Sequence, residues 1–228
     1  LLDKYYKVLE EQEGTISSTF LKNEEEIPSK LPNHENPSAP LNVLILYPDD
    51  WRHDDIGGVA PIVRTPFLNQ LASKGIRFTH NAVTTSICWI SRATLFTGQY
   101  VSRHGSTYLP KPLFATHHWN TTWPYLLQQK GYFVGHIGKW QYDNVDNHLS
   151  RIFNWSRFYE GSHWYPTKEG PRIAAADRTR NDVFEFLDNR PKDTPFALTV
   201  AFYPPKAVGI DETPGGQWFP TNETKKAL

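Results

Sequence analysis

Between residues 41 and 206 the apolar positions fall into two alternating kinds of segment. Short runs rich in β-branched and aromatic residues predict strands at 42–47, 76–83, 132–137 and 196–203. Stretches with apolar residues three and four apart predict helices at about 66–74 after Thr65-Pro66, 91–97 closed by Gly98, 122–130 closed by Gly131, and about 172–189. Residues 140–170 read as a loop-rich aromatic stretch. Helices interposed between apolar strands imply an α/β fold, with a mainly parallel sheet and helices on both faces. In such sheets ligands collect at the carboxyl ends of the strands, so the residues that follow each strand are the first candidates for chemistry.

Residues 1–40 break the pattern. They are polar, carry Glu24-Glu25-Glu26 and have prolines at 28, 32, 37 and 40, so they read as a leader or linker. Their first 20 residues are compatible with a helix, and the domain boundary is expected near 40, with 41–228 as the folded domain. At 228 residues, 39% hydrophobic and 14% aromatic, the chain is long and apolar enough for one α/β domain. Lys plus Arg equals Asp plus Glu at 24 each, which gives no overall field to draw in nucleic acid or an anionic membrane. Any attraction for an anion must be local.

No run of about 18 apolar residues exists, so no membrane span is expected, and Leu1-Leu2-Asp3-Lys4 is not a signal peptide. The chain contains no methionine and reads as a fragment or processed piece whose targeting segment, if any, is not in it. Asn120-Thr121-Thr122, Asn154-Trp155-Ser156 and Asn222-Glu223-Thr224 fit the N-glycosylation pattern, which suits a secreted, secretory-pathway or lysosomal protein.

The chemistry-bearing residues sit in a few places. Pro48-Asp49-Asp50-Trp51 follows the first strand directly, delivering two adjacent carboxylates to the functional edge of the sheet. Such a pair can supply part of the oxygen shell of Ca²⁺ or Mg²⁺, or be an ordinary polar turn; Asp54-Asp55 reads as the turn. The single cysteine, Cys88, excludes an internal disulfide framework and a multi-cysteine zinc site. It is left as a small buried hydrophobe, a bystander or a reactive group. Ser91 suits a helix cap or first turn, which places Cys88 at or just before a helix N-terminus, where free N–H groups favour an anion. Arg92 lies four residues on, a spacing that lets both side chains face one point, and its planar fork matches a tetrahedral oxyanion.

The segment from Thr84 to Gly98, with Cys88-Trp89-Ile90-Ser91-Arg92 followed by a small-residue helix and Thr97-Gly98, resembles the signature of the formylglycine-dependent sulfatases, Cys-x-Pro-Ser-Arg. Asp49-Asp50 resembles that family's first metal ligands. Gly131-Tyr132-Phe133-Val134-Gly135-His136-Ile137-Gly138-Lys139-Trp140 resembles its second signature, and Ala197 to Lys206 its Ser-Phe-x-x-Pro-His segment. Asp49-Asp50, the Cys88 segment and the Gly131–Trp140 segment are three motifs in the family's order within a resemblance that spans residues 41–206, and together they carry far more weight than any one alone.

The resemblance implies an alkaline-phosphatase-like α/β fold, incomplete at the C-terminus, and hydrolysis of a sulfate monoester such as a carbohydrate sulfate. It implies formylglycine made from Cys88 by the formylglycine-generating enzyme, and a divalent ion, Ca²⁺ or Mg²⁺, held by Asp49, Asp50 and modified Cys88. Arg92 would hold the site together, Lys139 would contact the sulfate, and a sulfated small molecule or glycan would be the substrate. Three positions depart from the family. Ile90 stands in place of proline, Gln141 in place of a histidine, and Lys206 in place of the histidine that protonates the leaving oxygen.

Gln141 can hydrogen-bond sulfate but cannot act as a general acid, whereas Lys206 can hold a sulfate oxygen and move a proton. The resemblance further implies that the remaining metal ligands and a second substrate lysine lie beyond residue 228, so the piece alone is expected to be weakly active or inactive. Two other readings stay open: a phosphate or phosphonate monoester hydrolase on the same scaffold, and a non-catalytic module that binds sulfated glycans. His80, His104, His117, His118, His136, His148 and His163 lack a ligand spacing beyond the His117-His118 pair and read as surface or satisfied loop histidines. Phe153, Trp155, Phe158, Tyr159, Trp164 and Tyr165 suit either a platform for sugar rings or burial under a long loop.

Overall fold

The computed structural model describes residues 40–55, 63–106, 116–142, 149 and 151–206 apart from 160 and 169. The polar leader and its candidate helix lie outside the described residues. Four strands form a parallel sheet: β1 (Val43–Tyr47), β2 (Phe133–Lys139), β3 (Trp155–Tyr159) and β6 (Phe196–Ala201), in the order β1-β6-β2-β3. β4 (Trp164–Tyr165) and β5 (Ile173–Ala174) make a small antiparallel pair. The helices are α1 (Pro66–Lys74), α2 (Cys88–Thr97), α3 (Val101–His104), α4 (Thr116–Trp119), α5 (Trp123–Gln129) and α6 (Ala175–Asn189).

The burial patterns follow from strand position. Central β2 and β6 are buried along nearly their whole length, as expected for parallel strands covered on both faces. At the edge, β1 alternates, with Leu44 and Leu46 exposed. One face of the sheet packs Val134 and Ala197 against Ala93 and Phe96 of α2, Trp119 of α4 and the partly buried Trp123 and Leu127 of α5. On the other face Ile137, Leu198 and Val200 meet Ala175 and Phe186 of α6. This is the predicted α/β arrangement.

The register sets the level of the functional edge. Tyr47 pairs with Ala201, Ala201 with Gly138, and Lys139 with Tyr159, so three neighbouring strands and β3 end side by side. The segments carrying Asp49-Asp50, Lys139 and Lys206 therefore leave the sheet together. Gly138 makes part of this possible: its φ is +106°, and a Cβ there would lie 2.0 Å from the carbonyl oxygen of Ala201.

Several expectations need correction. Residues 76–83 form no strand, and Ile76, Phe78 and Val83 are 84%, 79% and 67% exposed. Their alternation describes a face fit for burial, yet a strand also needs a neighbour to accept its backbone bonds, and none of the described strands pairs with it. In the aromatic stretch, by contrast, β3 is a full member of the four-stranded sheet, and β4 pairs apart from it with β5. Phe153, Tyr159 and Tyr165 are buried there, so burial rather than an open platform describes these three. The short helices α3 and α4 were not foreseen.

Helix α2 begins at Cys88, three residues before the expected start. Ile87 is its N-cap with no side-chain hydrogen bond, and left-handed Gly98 closes it with its N–H on Thr94 O at 2.8 Å. Ser91 does not cap: its hydroxyl lies 2.6 Å from that of Tyr47 and joins the helix to the end of β1. The histidine expectation fails for His136, buried in β2, whereas the buried His104 is a satisfied one, with Thr94 Oγ1 3.2 Å from Nε2 and the Ser106 N–H donating to Nδ1 at 3.1 Å. No helix among the described residues is long and apolar enough to cross a membrane.

Candidate active site

The chain reverses immediately after β1, and Asp50 adopts a φ of +55°, a conformation that Asp tolerates better than most residues. Asp49 is buried while Asp50 stays accessible. Cys88 is the first residue of α2, half-buried, at the end of the helix whose backbone N–H groups favour negative charge. One ligand atom from each of Asp49, Asp50 and Cys88 lies within 4.8 Å of the other two. The three residues singled out from two distant segments thus meet at one point.

Three cations surround them. Lys139, at the end of β2, donates from Nζ to Asp49 Oδ2 at 2.5 Å, and both side chains are about 5% exposed. Arg92, equally buried, reaches Asp49 Oδ1 and the carbonyl of Lys139 with longer contacts of 3.5 Å each. Lys206 donates to Asp50 Oδ2 at 2.7 Å and lies 3.8 Å from Asp49. Its pKa is raised, first by that hydrogen bond and then by the nearby Cys88, Asp49 and Asp50 charges, against a lowering from burial. Lys206 is therefore held as an ammonium. Three cations thus stand around the two carboxylates and Cys88, a local gathering of charge that the balanced composition does not reveal.

Aromatic rings support these charges. The Arg92 guanidinium sits 5.0 Å from the Tyr47 ring centre and the Lys139 ammonium 5.2 Å from that of Tyr203. Tyr142 donates its hydroxyl to the carbonyl of Trp89 in the first turn of α2, and burial drives its pKa upward, so it stays a neutral donor. His136 is packed among Phe96, Trp140, Phe153 and Phe158. Burial, and secondarily the Arg92 charge, push its pKa down to about 3, so it is neutral. Its Nε2 faces the Lys139 carbonyl at 3.4 Å, which makes it a packing residue behind the site.

Gln141, two residues beyond Lys139, has its amide oxygen buried without a hydrogen-bond partner among the described residues. It is not joined by a hydrogen bond to the Asp49-Cys88 cluster. The sequence reading did not single out Tyr47, Tyr203 or Tyr142, and it took His136 for a surface or satisfied loop histidine. Tyr47 and Tyr203 do end or follow strands, which is the one signal that points to them.

The donor set fits a hard divalent cation in two of its three members. Carboxylate oxygens suit Ca²⁺ or Mg²⁺, whereas a thiol is a soft ligand, and replacing the sulfur of Cys88 by oxygen would bring the third into line.

The model of the sulfatase family matches residues 41–217. The chain belongs to the sulfatase family, and its fold is alkaline-phosphatase-like. It is 36% identical to arylsulfatase A of Bos taurus over 107 residues, 45% of this chain and 21% of that protein. Against an N-acetylglucosamine-6-O-sulfatase of Bacteroides thetaiotaomicron the identity is 28% over 180 residues, 73% of this chain and 31% of the relative. A solved structure of a protein bound to its substrate, D-glucosamine-2-N,6-O-disulfate, superposes with a TM-score of 0.63 at 25% identity, covering 73% of this chain and 35% of that one. The chain thus spans between about a fifth and a third of the length of these curated relatives.

Proposed function

We propose that this chain carries the nucleophile end of a sulfatase active site that hydrolyses a sulfate monoester, with a carbohydrate sulfate as substrate. The observation that carries the reading is the meeting of Asp49, Asp50 and Cys88 within 4.8 Å under a cover of three cations. Relatives named for glucosamine sulfates favour a sugar as the alcohol.

In this reading Asp49, Asp50 and Cys88 hold a divalent ion, Ca²⁺ or Mg²⁺, which supplies positive charge to polarise the ester and stabilise the transition state. Cys88, converted to formylglycine by the formylglycine-generating enzyme, supplies a hydrated aldehyde whose hydroxyl oxygen, losing its proton to solvent, attacks sulfur; the second hydroxyl then loses its proton, sulfate is expelled as the aldehyde re-forms, and water hydrates the aldehyde again. Arg92 braces Asp49 and the end of β2, so the carboxylate and the lysine keep their mutual geometry. Lys139 and Lys206 offer N–H donors to the sulfate oxygens. As the bond from sulfur to the alcohol oxygen breaks, Lys206 is placed to give that oxygen a proton, the role filled in the family by the histidine it replaces. Gln141 contributes a neutral hydrogen-bonding group at most. The same reading places the protein in the secretory pathway or lysosome, with exposed Asn120 and Asn154 as glycan acceptors; Asn222 lies outside the described residues.

The test uses the full-length protein from its native host. Mass spectrometry of the Cys88 peptide is expected to show sulfur and two hydrogens exchanged for one oxygen, and an aryl sulfate to be cleaved faster than the matching aryl phosphate. Faster phosphate cleavage would assign the scaffold to phosphate or phosphonate esters. An intact thiol with glycan binding and no turnover would make it a binding module.

A further inference from the structure

The loop after β3 touches the Lys206 segment at two points. His163, only 9% exposed, presents Nε2 to the backbone carbonyl of Lys206 at 2.7 Å, and since a carbonyl only accepts, that nitrogen carries the proton. The same ring meets Tyr203 edge-on, with centres 4.7 Å apart. Two residues earlier, Gly161 lies against the other end of this contact: a Cβ there would come 2.7 Å from Cε2 of Tyr203. The loop is itself anchored, because the carbonyl of His163 accepts from the N–H of Ala175 at the start of α6 at 2.8 Å.

Gly161 and His163 therefore bracket the Tyr203–Lys206 turn. Tyr203 lies beneath the Lys139 ammonium, and the turn delivers the Lys206 ammonium to Asp50. The Lys206 segment has left the sheet by this point, so no strand among the described residues fixes its backbone. Its own turn bond, Lys206 N–H to Tyr203 O, is long at 3.3 Å.

We infer that His163 is a positioning residue: it fixes the Lys206 backbone so that the ammonium stands over the carboxylate pair at the point of proton delivery. This rests on the role given to Lys206 above. Positioning within about 1 Å is worth up to about a hundredfold in rate, so loss of the bracket is a kinetic defect before it is a folding one.

The experiment is a double-mutant cycle in the full-length, formylglycine-containing protein, with His163→Leu, Lys206→Met and both, assayed on a nitrophenyl sulfate and on an alkyl sulfate. Thermal midpoints confirm that each variant is folded. His163→Leu is expected to lower kcat roughly 10-fold to 100-fold on the alkyl sulfate and much less on the nitrophenyl ester, whose leaving group needs no proton. In the Lys206→Met background the same change should have almost no further effect, and His163→Gln, which keeps an N–H, should restore most of the rate. If Leu at this position prevents folding, His163→Asn, too short to reach the carbonyl, takes its place in the cycle. Equal losses on both substrates, or losses that multiply with those of Lys206→Met, would overturn the inference while leaving the role of Lys206 intact. A silent Lys206→Met would overturn both.

Discussion

Asp49 holds a position that few carboxylates occupy: it is buried, with Lys139 against one oxygen and Arg92 near the other. Removing it strands two cations away from water. Asp49→Ala is therefore expected to lower unfolding stability by about 3–5 kcal/mol, measured by urea denaturation, even before activity is considered. A loss under about 1 kcal/mol would mean that water already screens the cluster.

His136 gives a second prediction at this scale, with an opposite chemistry. Its folded pKa is down at about 3 against an ordinary 6.5. From pH 6.5 downward the unfolded chain takes up a proton that the folded one refuses, so stability falls with acid in that window and is unaffected above it. Replacing His136 by Leu should shrink the stability difference between pH 7.5 and 5.5 by roughly 1 kcal/mol. An undiminished difference would show that the acid sensitivity arises elsewhere. Among the residues themselves, Asp49, Asp50, Cys88, Arg92, Lys139 and Lys206 were legible because motif spacing and strand ends mark them. Tyr203 and His163 were not, because their partners are brought near only by the chain's return through β6 and the loop after β3.

The elements divide in the same way. β1, α1, α5, β2, α6 and β6 were visible, since each combines periodicity with a Pro, Gly or polar stop. β3 was hidden because its aromatics blur the alternation, and 76–83 misled because alternation cannot name a hydrogen-bond partner. The junction of β2 with the site hangs on Gly138. Gly138→Ala would push a methyl group into the backbone of Ala201 and should cost about 3 kcal/mol or more. Gly98→Ala, at the end of α2 with nothing within 4 Å of the new carbon, meets only the left-handed penalty of about 1–2 kcal/mol. Thermal midpoints of the two variants side by side check the order. The reverse order would mean that β6 yields to the intruding methyl group.

At the scale of the whole molecule the sheet register decides where the charges meet. Levelling β1, β6 and β2 at one edge assembles charges from residues 49 to 206 without any two of the segments being neighbours in sequence. The opposite side of β1 is less finished. Leu44 and Leu46 are exposed, and α1 buries no residue, with Phe67 81% and Leu71 64% exposed. Parallel strands are ordinarily covered, so these residues mark the part of the fold least stabilised by the described core.

The lysines that neutralise Asp49 and Asp50 have a thermodynamic corollary. A divalent ion entering between the carboxylates competes with two ammonium groups, and those groups, once displaced, are left seeking an anion. Calcium and inorganic sulfate should accordingly each tighten the hold of the other by the same factor, a reciprocity that titration calorimetry on the full-length protein reads directly. Loading the centre with metal would then be the act that arms it for its substrate.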